Sequence, residues 1–194
     1  MSERPSLSRT LALASLLAAV AATFEILPLD IKIVGFERLS FDPVGIPILL
    51  TLMLAGLVPS VYVAGISSSI IFFRGNLAGG TLKLLAELST ILGFYLLMRR
   101  GILWASVSAL SARVIFMTLT NYYLLQFFFG IPPDVVVSVW LPFLVPFNLA
   151  QGLINIWGAD YVNLRIPRSF KQFFGYTAKG GQAQRRSVDT SAAS

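Results

Sequence analysis

Charged side chains inside long apolar stretches are the first features of this chain that could do chemistry. Lys83 and Glu87 lie four residues apart, so on a helix they share a face and can form an ion pair. Arg113 lies in a later stretch, with Asn121 on the same helical face. Ionisable groups within apolar spans are costly and commonly mark ligand sites. Two structural interpretations remain open, since Lys83 and Glu87 can neutralise each other and Arg113 can bind backbone carbonyls or a helix end.

Amide side chains form a second polar feature. Asn148, Gln151 and Asn155 follow the spacing i, i+3, i+7, which makes one stripe along a helix. Such amides can also hold helices together, for about 1 kcal/mol each. Counted from the predicted helix ends, Asn121, Asn148 and Glu87 lie at a similar depth, roughly 10 Å below one surface. A shared depth favours a ligand pocket that opens towards that surface.

Several chemistries are excluded by composition. The chain has no cysteine and no histidine, so thiol nucleophiles, disulfides, imidazole acid–base chemistry and metal sites built on these ligands are ruled out. No GxxxxGK[ST] loop for nucleotide phosphates is present. A membrane-embedded enzyme using Glu87 or Asp160 as acid or base is the remaining catalytic hypothesis, and it lacks a pair of carboxylates at one depth. We therefore expect no enzyme activity, no metal and no cofactor.

The elements that position these residues are predicted to be transmembrane helices. Of the 194 residues, 56% are hydrophobic and 12% are charged, whereas soluble domains carry about 25% charged residues. Apolar runs of about 20 residues cross a bilayer. The sequence predicts an all-α membrane protein with six spans: Thr10–Leu29, Pro43–Leu57, Pro59–Phe73, Thr81–Met98, Ile102–Phe129 and Val139–Leu164. A signal peptide is the alternative interpretation of the first span, although its apolar core is long for one.

The distribution of positive charge predicts the orientation. With the N-terminus inside, ten lysines and arginines fall on the cytoplasmic side and only Lys32, Arg38 and Arg74 fall outside. We expect a multi-pass protein of the cytoplasmic membrane with both termini in the cytoplasm. Residues 1–172 would form the transmembrane domain and residues 173–194 a disordered tail. Orientation explains the net charge of +6 better than nucleic-acid binding does.

Small residues repeat along the first span. Ala14, Ala18 and Ala22 are spaced four apart and form a ridge that another helix can approach closely. The ridge could serve another protein or pack within this bundle, and the spacing does not distinguish the two.

Three segments resemble the riboflavin-specific S components, which are the substrate-binding subunits of energy-coupling factor (ECF) vitamin transporters. They are LSFDPVGIP at 39–47, MTLTNYY at 117–123 and PFNLAQG at 146–152. The resemblance covers most of residues 10–166. It implies a six-helix S-component bundle without ATPase activity of its own. Such a subunit captures riboflavin or a related vitamin outside and topples in the membrane to release it inside, coupled to a T component and two ABC ATPase subunits.

The resemblance also implies roles for individual residues. Asn121 and Asn148 match asparagines that bind ligand, and the alanine ridge matches the surface that meets the T component. Gln151 stands where riboflavin-specific proteins usually have lysine, so another vitamin or vitamin precursor is an alternative substrate. A structural subunit of a membrane complex is a further alternative. The predicted substrate-binding residues are Asn121, Asn148, Gln151, Lys83, Glu87, Asn155 and Arg113. Aromatic side chains that could stack on a ring of the ligand, or serve instead as anchors at the membrane interface, are Phe36, Phe41, Tyr122 and Trp140.

Overall fold

A computed structural model of the protein describes residues 7–27, 31–33 and 36–173. The predicted disordered tail falls outside these residues except for Phe173, which ends the last helix. The main helices are α1 Leu7–Ile26, α2 Gly45–Ala55, α3 Leu57–Phe73, α4 Leu77–Leu97, α5 Ile102–Phe129 and α7 Leu141–Arg165. Shorter pieces are the strands β1 Ile31–Ile33 and β2 Phe36–Phe41, the single turn α6 Pro133–Val135, the π-helical turn Val136–Trp140, the 3-10 turn Met98–Arg100 and α8 Arg168–Phe173.

In the described part of the chain, four helical segments are long and apolar enough to cross a membrane. They are Leu7–Ile26, Leu77–Arg100, Ile102–Phe129 and Pro133–Arg165. The apolar helices α2 and α3 are shorter, with 11 and 17 residues, so the count of six spans stays a prediction. The two are separated at Gly56, whose φ of 92° suits glycine. The predicted break at Pro59 was wrong, because Pro59 lies in the first turn of α3, where its missing N–H costs nothing.

A β-hairpin corrects the all-α expectation. Strands β1 and β2 pair antiparallel, with Ile31 opposite Phe41 and an irregularity after Lys32. From the sequence, residues 30–42 are predicted to form a charged connection, because the adjacent Glu37 and Arg38 interrupt the alternating pattern that indicates a strand. Strand β2 ends one residue before Asp42, so the hairpin leads directly into the junction with α2.

Helix α2 lies at the centre of the bundle. Nine of its eleven residues are buried, as expected for a helix that is apolar on all sides. Helices α1, α3, α4, α5 and α7 contact one another in that order, and α2 closes the ring between α7 and α1 while also touching α3 and α4. The most extensive contact joins α4 and α5, where an added Cβ at Gly93 would lie 2.7 Å from Ala112 Cβ. Small residues therefore set this close approach.

The alanine ridge of α1 faces the core. Ala14 and Ala18 are only 1% and 3% exposed and belong to the main hydrophobic cluster, while Ala22 is half-buried. The expectation that Ala14 and Ala18 meet a T component therefore needs correction, because this face already packs inside the bundle. One position further along, Ser15, Ala19 and Thr23 form a second small-residue row, and all of these are exposed.

Glycine and proline define the corner between α5 and the last long helix. Gly130 adopts the left-handed conformation, with φ of 63°, and its N–H donates to the Gln126 carbonyl at 2.9 Å. Helical structure then resumes at Pro133 rather than at the predicted Val139, through α6 and the π-helical turn. The helix carries Pro146 in its interior.

Candidate ligand-binding site

A cavity of about 400 Å³ opens at one end of the bundle. It lies between the C-terminal ends of α1 and α3, the junction before α2, the N-terminal half of α4, the C-terminal half of α5 and the first half of α7. Its polar lining consists of Glu25, Ser40, Asp42, Arg74, Asn76, Lys83, Arg113, Asn121, Asn148 and Gln151. This volume falls within the range of small-molecule sites, roughly 300 to 1,000 Å³.

The structure brings five of the seven predicted substrate-binding residues to the cavity wall. They are Lys83, Arg113, Asn121, Asn148 and Gln151. Glu87 and Asn155 are absent from the wall and are fully buried, with 0% exposure. Asn121 and Asn148, which the depth estimate grouped together, both line the cavity, whereas Glu87 lies behind the wall.

Asn121 and Asn148 direct their amide oxygens away from their own helices. The Asn121 amide donates to the Met117 carbonyl at 2.7 Å, and the Asn148 amide donates to the Leu144 carbonyl at 2.9 Å. A carbonyl can accept only from the nitrogen of an amide, so these bonds fix which atom faces away. Neither oxygen accepts a hydrogen bond from the residues that the structure describes. Both side chains are almost fully buried and line the cavity, so they offer a ligand two acceptors there.

Asp42 connects the junction between the hairpin and α2 to helices α4 and α7 through hydrogen bonds. The Gln151 amide donates to the Asp42 carbonyl at 2.7 Å, and the Asp42 N–H donates back to Gln151 Oε1 at 3.3 Å. The Asp42 carboxylate accepts from the Val44 N–H at 3.0 Å and from Lys83 Nζ at 2.6 Å. This junction therefore forms part of the cavity wall while α4 and α7 hold it in position.

The predicted ion pair between Lys83 and Glu87 does not form. Lys83 Nζ lies 2.6 Å from Asp42 and 3.8 Å from Glu25, and Glu87 pairs with Arg113 instead. Spacing along one helix correctly placed Lys83 and Glu87 on neighbouring turns. It could not show that carboxylates from α1 and from the start of α2 come closer to the ammonium group.

Arg113 and Glu87 form a buried ion pair beneath the cavity. Arg113 Nη1 donates to Glu87 Oε1 at 3.4 Å, to Thr90 Oγ1 at 2.9 Å and to the Ala86 carbonyl at 3.4 Å. Arg113 was predicted either to face a ligand site or to bind backbone carbonyls. In the structure it binds the Ala86 carbonyl and also lines the cavity. Gly152 leaves room for this side chain, since an added Cβ would lie 3.3 Å from Arg113 Cδ.

Hydrogen bonds connect the ion pair to the Asp42 junction. Asn155 donates to Glu87 Oε1 at 3.5 Å, and Gln151 donates to Asn155 Oδ1 at 3.1 Å. The absence of a side chain at Gly45 makes space for this amide, because a Cβ there would overlap Asn155. The polar stripe on α7 therefore joins the cavity wall to the interior, and only Asn148 and Gln151 of its three amides reach the wall.

Some residues of the cavity wall were not predicted from the sequence. Glu25 and Asp42 were visible as acids near the ends of apolar runs, but nothing in the sequence indicated that they converge on Lys83. The ring in the wall is Phe147, with Phe41 packed against it at 5.0 Å between ring centroids. Tyr122 and Trp140 do not line the cavity and pack against a second apolar cluster that includes the wall residue Leu144. The side chain of Phe36 lies outside the described part.

Comparison with known proteins identifies the fold. No protein-family model matches the sequence, and a search of curated protein sequences also gives no match. A solved structure of the S component of a bacterial ECF transporter matches with a TM-score of 0.71. The match covers 81% of this chain and 95% of the other, at 20% sequence identity. The fold is that of an ECF S component. The expected S-component fold is thereby confirmed. The six spans and the side of the termini stay predictions, and the ligand has to be argued from the site.

Proposed function

We propose that this protein is the substrate-binding membrane subunit of an ECF-type importer, which captures a vitamin-like molecule outside the cell. The observation that carries the proposal is a cavity of about 400 Å³ in an S-component fold, with fixed polar groups converging from several helices. A largely enclosed space with an apolar part and a few oriented polar groups is typical of small-molecule sites.

Riboflavin or a related vitamin is the substrate that we favour. The support is that Asn121 and Asn148, the two positions that resemble ligand-binding asparagines, both line the cavity. Phe147 adds a ring surface beside Asn148 on which a flat heterocycle can stack. Gln151, which departs from the riboflavin pattern, is engaged with the Asp42 backbone. Another vitamin or vitamin precursor is the alternative substrate, since Gln151 in place of lysine does not specify which heterocycle is bound.

Delivery would require partners. We propose that the protein couples to a T component and two ABC ATPase subunits and topples in the membrane to release its substrate inside. The exposed row of Ser15, Ala19 and Thr23 on α1 is the surface that we now assign to the T component. The Thr23 hydroxyl donates to the Ala19 carbonyl at 2.8 Å, so this hydroxyl is already satisfied within the helix.

Alanine variants of the two asparagines test the ligand assignment. We expect Asn121→Ala and Asn148→Ala each to weaken riboflavin binding about tenfold, because each removes one buried hydrogen-bond acceptor. Binding would be measured by quenching of flavin fluorescence, and folding by the thermal midpoint in detergent. Gln126→Ala is the matched control, because Gln126 also bonds a carbonyl four residues earlier on α5 but lies away from the cavity.

The outcomes separate the versions of the proposal. Unchanged affinity in both asparagine variants would contradict the assigned site. Absence of riboflavin binding, together with another small molecule released from the purified protein and identified by mass spectrometry, would reject riboflavin and retain the transport subunit. Absence of any bound small molecule would favour a structural subunit.

A further inference from the structure

Among the described residues around the cavity, cations and carboxylates are equal in number. Lys83 Nζ lies between two carboxylates, 2.6 Å from Asp42 and 3.8 Å from Glu25. The cation beneath the cavity, Arg113, is paired with Glu87. The third described cation of the wall is Arg74, whose exposed guanidinium donates to the Ile26 carbonyl at 3.1 Å.

An anionic ligand would have to share these cations with the carboxylates. A phosphate or carboxylate that accepts from Lys83 would lie beside Asp42 and Glu25, whose side chains already flank the ammonium group and are only 17% and 14% exposed. An anion at Arg113 would compete with Glu87, which has 0% exposure. Like charges brought together at a binding site cost several kcal/mol.

The hydrogen-bonding groups point to the same kind of ligand. Asn121 and Asn148 use their amide nitrogens on helix carbonyls, which leaves oxygens facing the cavity. The Gln151 side chain is occupied by the Asp42 backbone and by Asn155. Asn121 and Asn148 therefore offer acceptors, and a matching ligand supplies N–H or O–H donors to them.

We propose that the cavity selects a donor-rich ligand without net negative charge, either neutral or cationic, and rejects phosphate esters and carboxylates. This inference rests on the proposed function and narrows its substrate class. Neutral flavins and cationic aminopyrimidines fall within the class, whereas their phosphorylated forms fall outside it.

A panel of matched ligands tests the charge rule. The purified full-length protein would be titrated with riboflavin and its 5′-phosphate, with thiamine and its monophosphate, and with the carboxylates biotin, pantothenate and nicotinate. Binding would be read from the thermal midpoint and from calorimetry. We expect one of the unphosphorylated members to bind, and its phosphate to bind at least about 100-fold more weakly, because the ester brings negative charge to an already compensated site.

Each outcome decides a different point. If a phosphate ester or a carboxylate binds as tightly as any uncharged or cationic member, the charge rule is overturned and the transport function survives. If no panel member binds and mass spectrometry finds no small molecule on the purified protein, the proposed function fails, and the inference that rests on it fails too. If the molecule found on the protein is anionic, only the charge rule fails.

A single charge substitution tests whether the preference for unphosphorylated ligands arises from residues of the cavity. Glu25→Gln removes one carboxylate beside Lys83, so we expect the preference for the unphosphorylated ligand to fall about tenfold. The matched control is Asp134→Asn, which makes the same change in net charge at an exposed position in the turn before α7, away from the cavity. Equal effects of the two variants would show that the preference comes from the overall field rather than from Glu25, and would overturn the assignment.

Discussion

Arg113 and Glu87 place opposite charges in the interior of the bundle, with 3% and 0% of their surfaces exposed. The pair is supported by Thr90, which accepts from Arg113, and by Asn155, which donates to Glu87. Glu87 Oε2 and Arg113 Nε are buried without a hydrogen-bond partner among the described residues. Each charge is therefore tolerated mainly because of the other.

Breaking this pair should destabilise the protein strongly. We expect Glu87→Gln to lower the free energy of unfolding by about 3 to 5 kcal/mol, because Arg113 would keep an uncompensated buried charge. The double variant Glu87→Leu with Arg113→Met should recover most of this loss. Thermal unfolding in detergent, followed by tryptophan fluorescence, measures both.

The control for this prediction is Arg99→Gln, which removes an exposed cation and should leave the midpoint nearly unchanged. A double variant no more stable than Glu87→Gln alone would contradict the ion-pair account.

Helix α1 has two small-residue faces with different surroundings. Ala14 and Ala18 pack in the core, whereas Ser15, Ala19 and Thr23 lie on the outer surface. A shift of one residue turns a helix position by about 100°, which is enough to move a row from one face to another. The four-residue spacing of Ala14 and Ala18 predicts a small-residue ridge, and in the structure this row packs inside the bundle.

Enlarging one residue on each face should separate the two roles. We expect Ala14→Leu to destabilise the protein by about 1 to 3 kcal/mol through overpacking. We expect Ala19→Leu to leave the thermal midpoint and ligand binding unchanged while it blocks association with a co-expressed T component, measured by co-purification. Normal co-purification of the Ala19→Leu variant would remove the surface that we assign to the T component.

The surface of the whole molecule suits a bilayer. Large apolar side chains are exposed on several helices, among them Leu96, Leu103, Phe127 and Trp157. In a soluble protein such a surface would promote aggregation. The cavity opens at the end of the bundle opposite the start of α1, so the orientation predicted from positive charges would direct it outward.

Single cysteines can test that orientation, because the chain has none of its own. We expect Asp134→Cys to react with a membrane-impermeant maleimide on intact cells, and Arg100→Cys to react only after permeabilisation. Both positions are exposed. The unmodified protein is the control, since it offers no thiol. Labelling of Arg100→Cys on intact cells would reverse the proposed orientation.

Sequence patterns alone predict that the chain forms apolar helices, and they identify half of the polar residues that line the cavity. Hydrophobic runs and helical spacing are local properties, so the two asparagines, Arg113 and the α7 stripe could be identified without coordinates. Only the tertiary structure shows that Lys83 pairs with Asp42 and that Glu87 and Asn155 are buried. The same holds for which face of α1 packs in the core and for the pairing of the two strands in the hairpin. These features depend on how helices are rotated and on which distant segments meet. Contacts between residues far apart in the chain leave no periodic trace in the sequence.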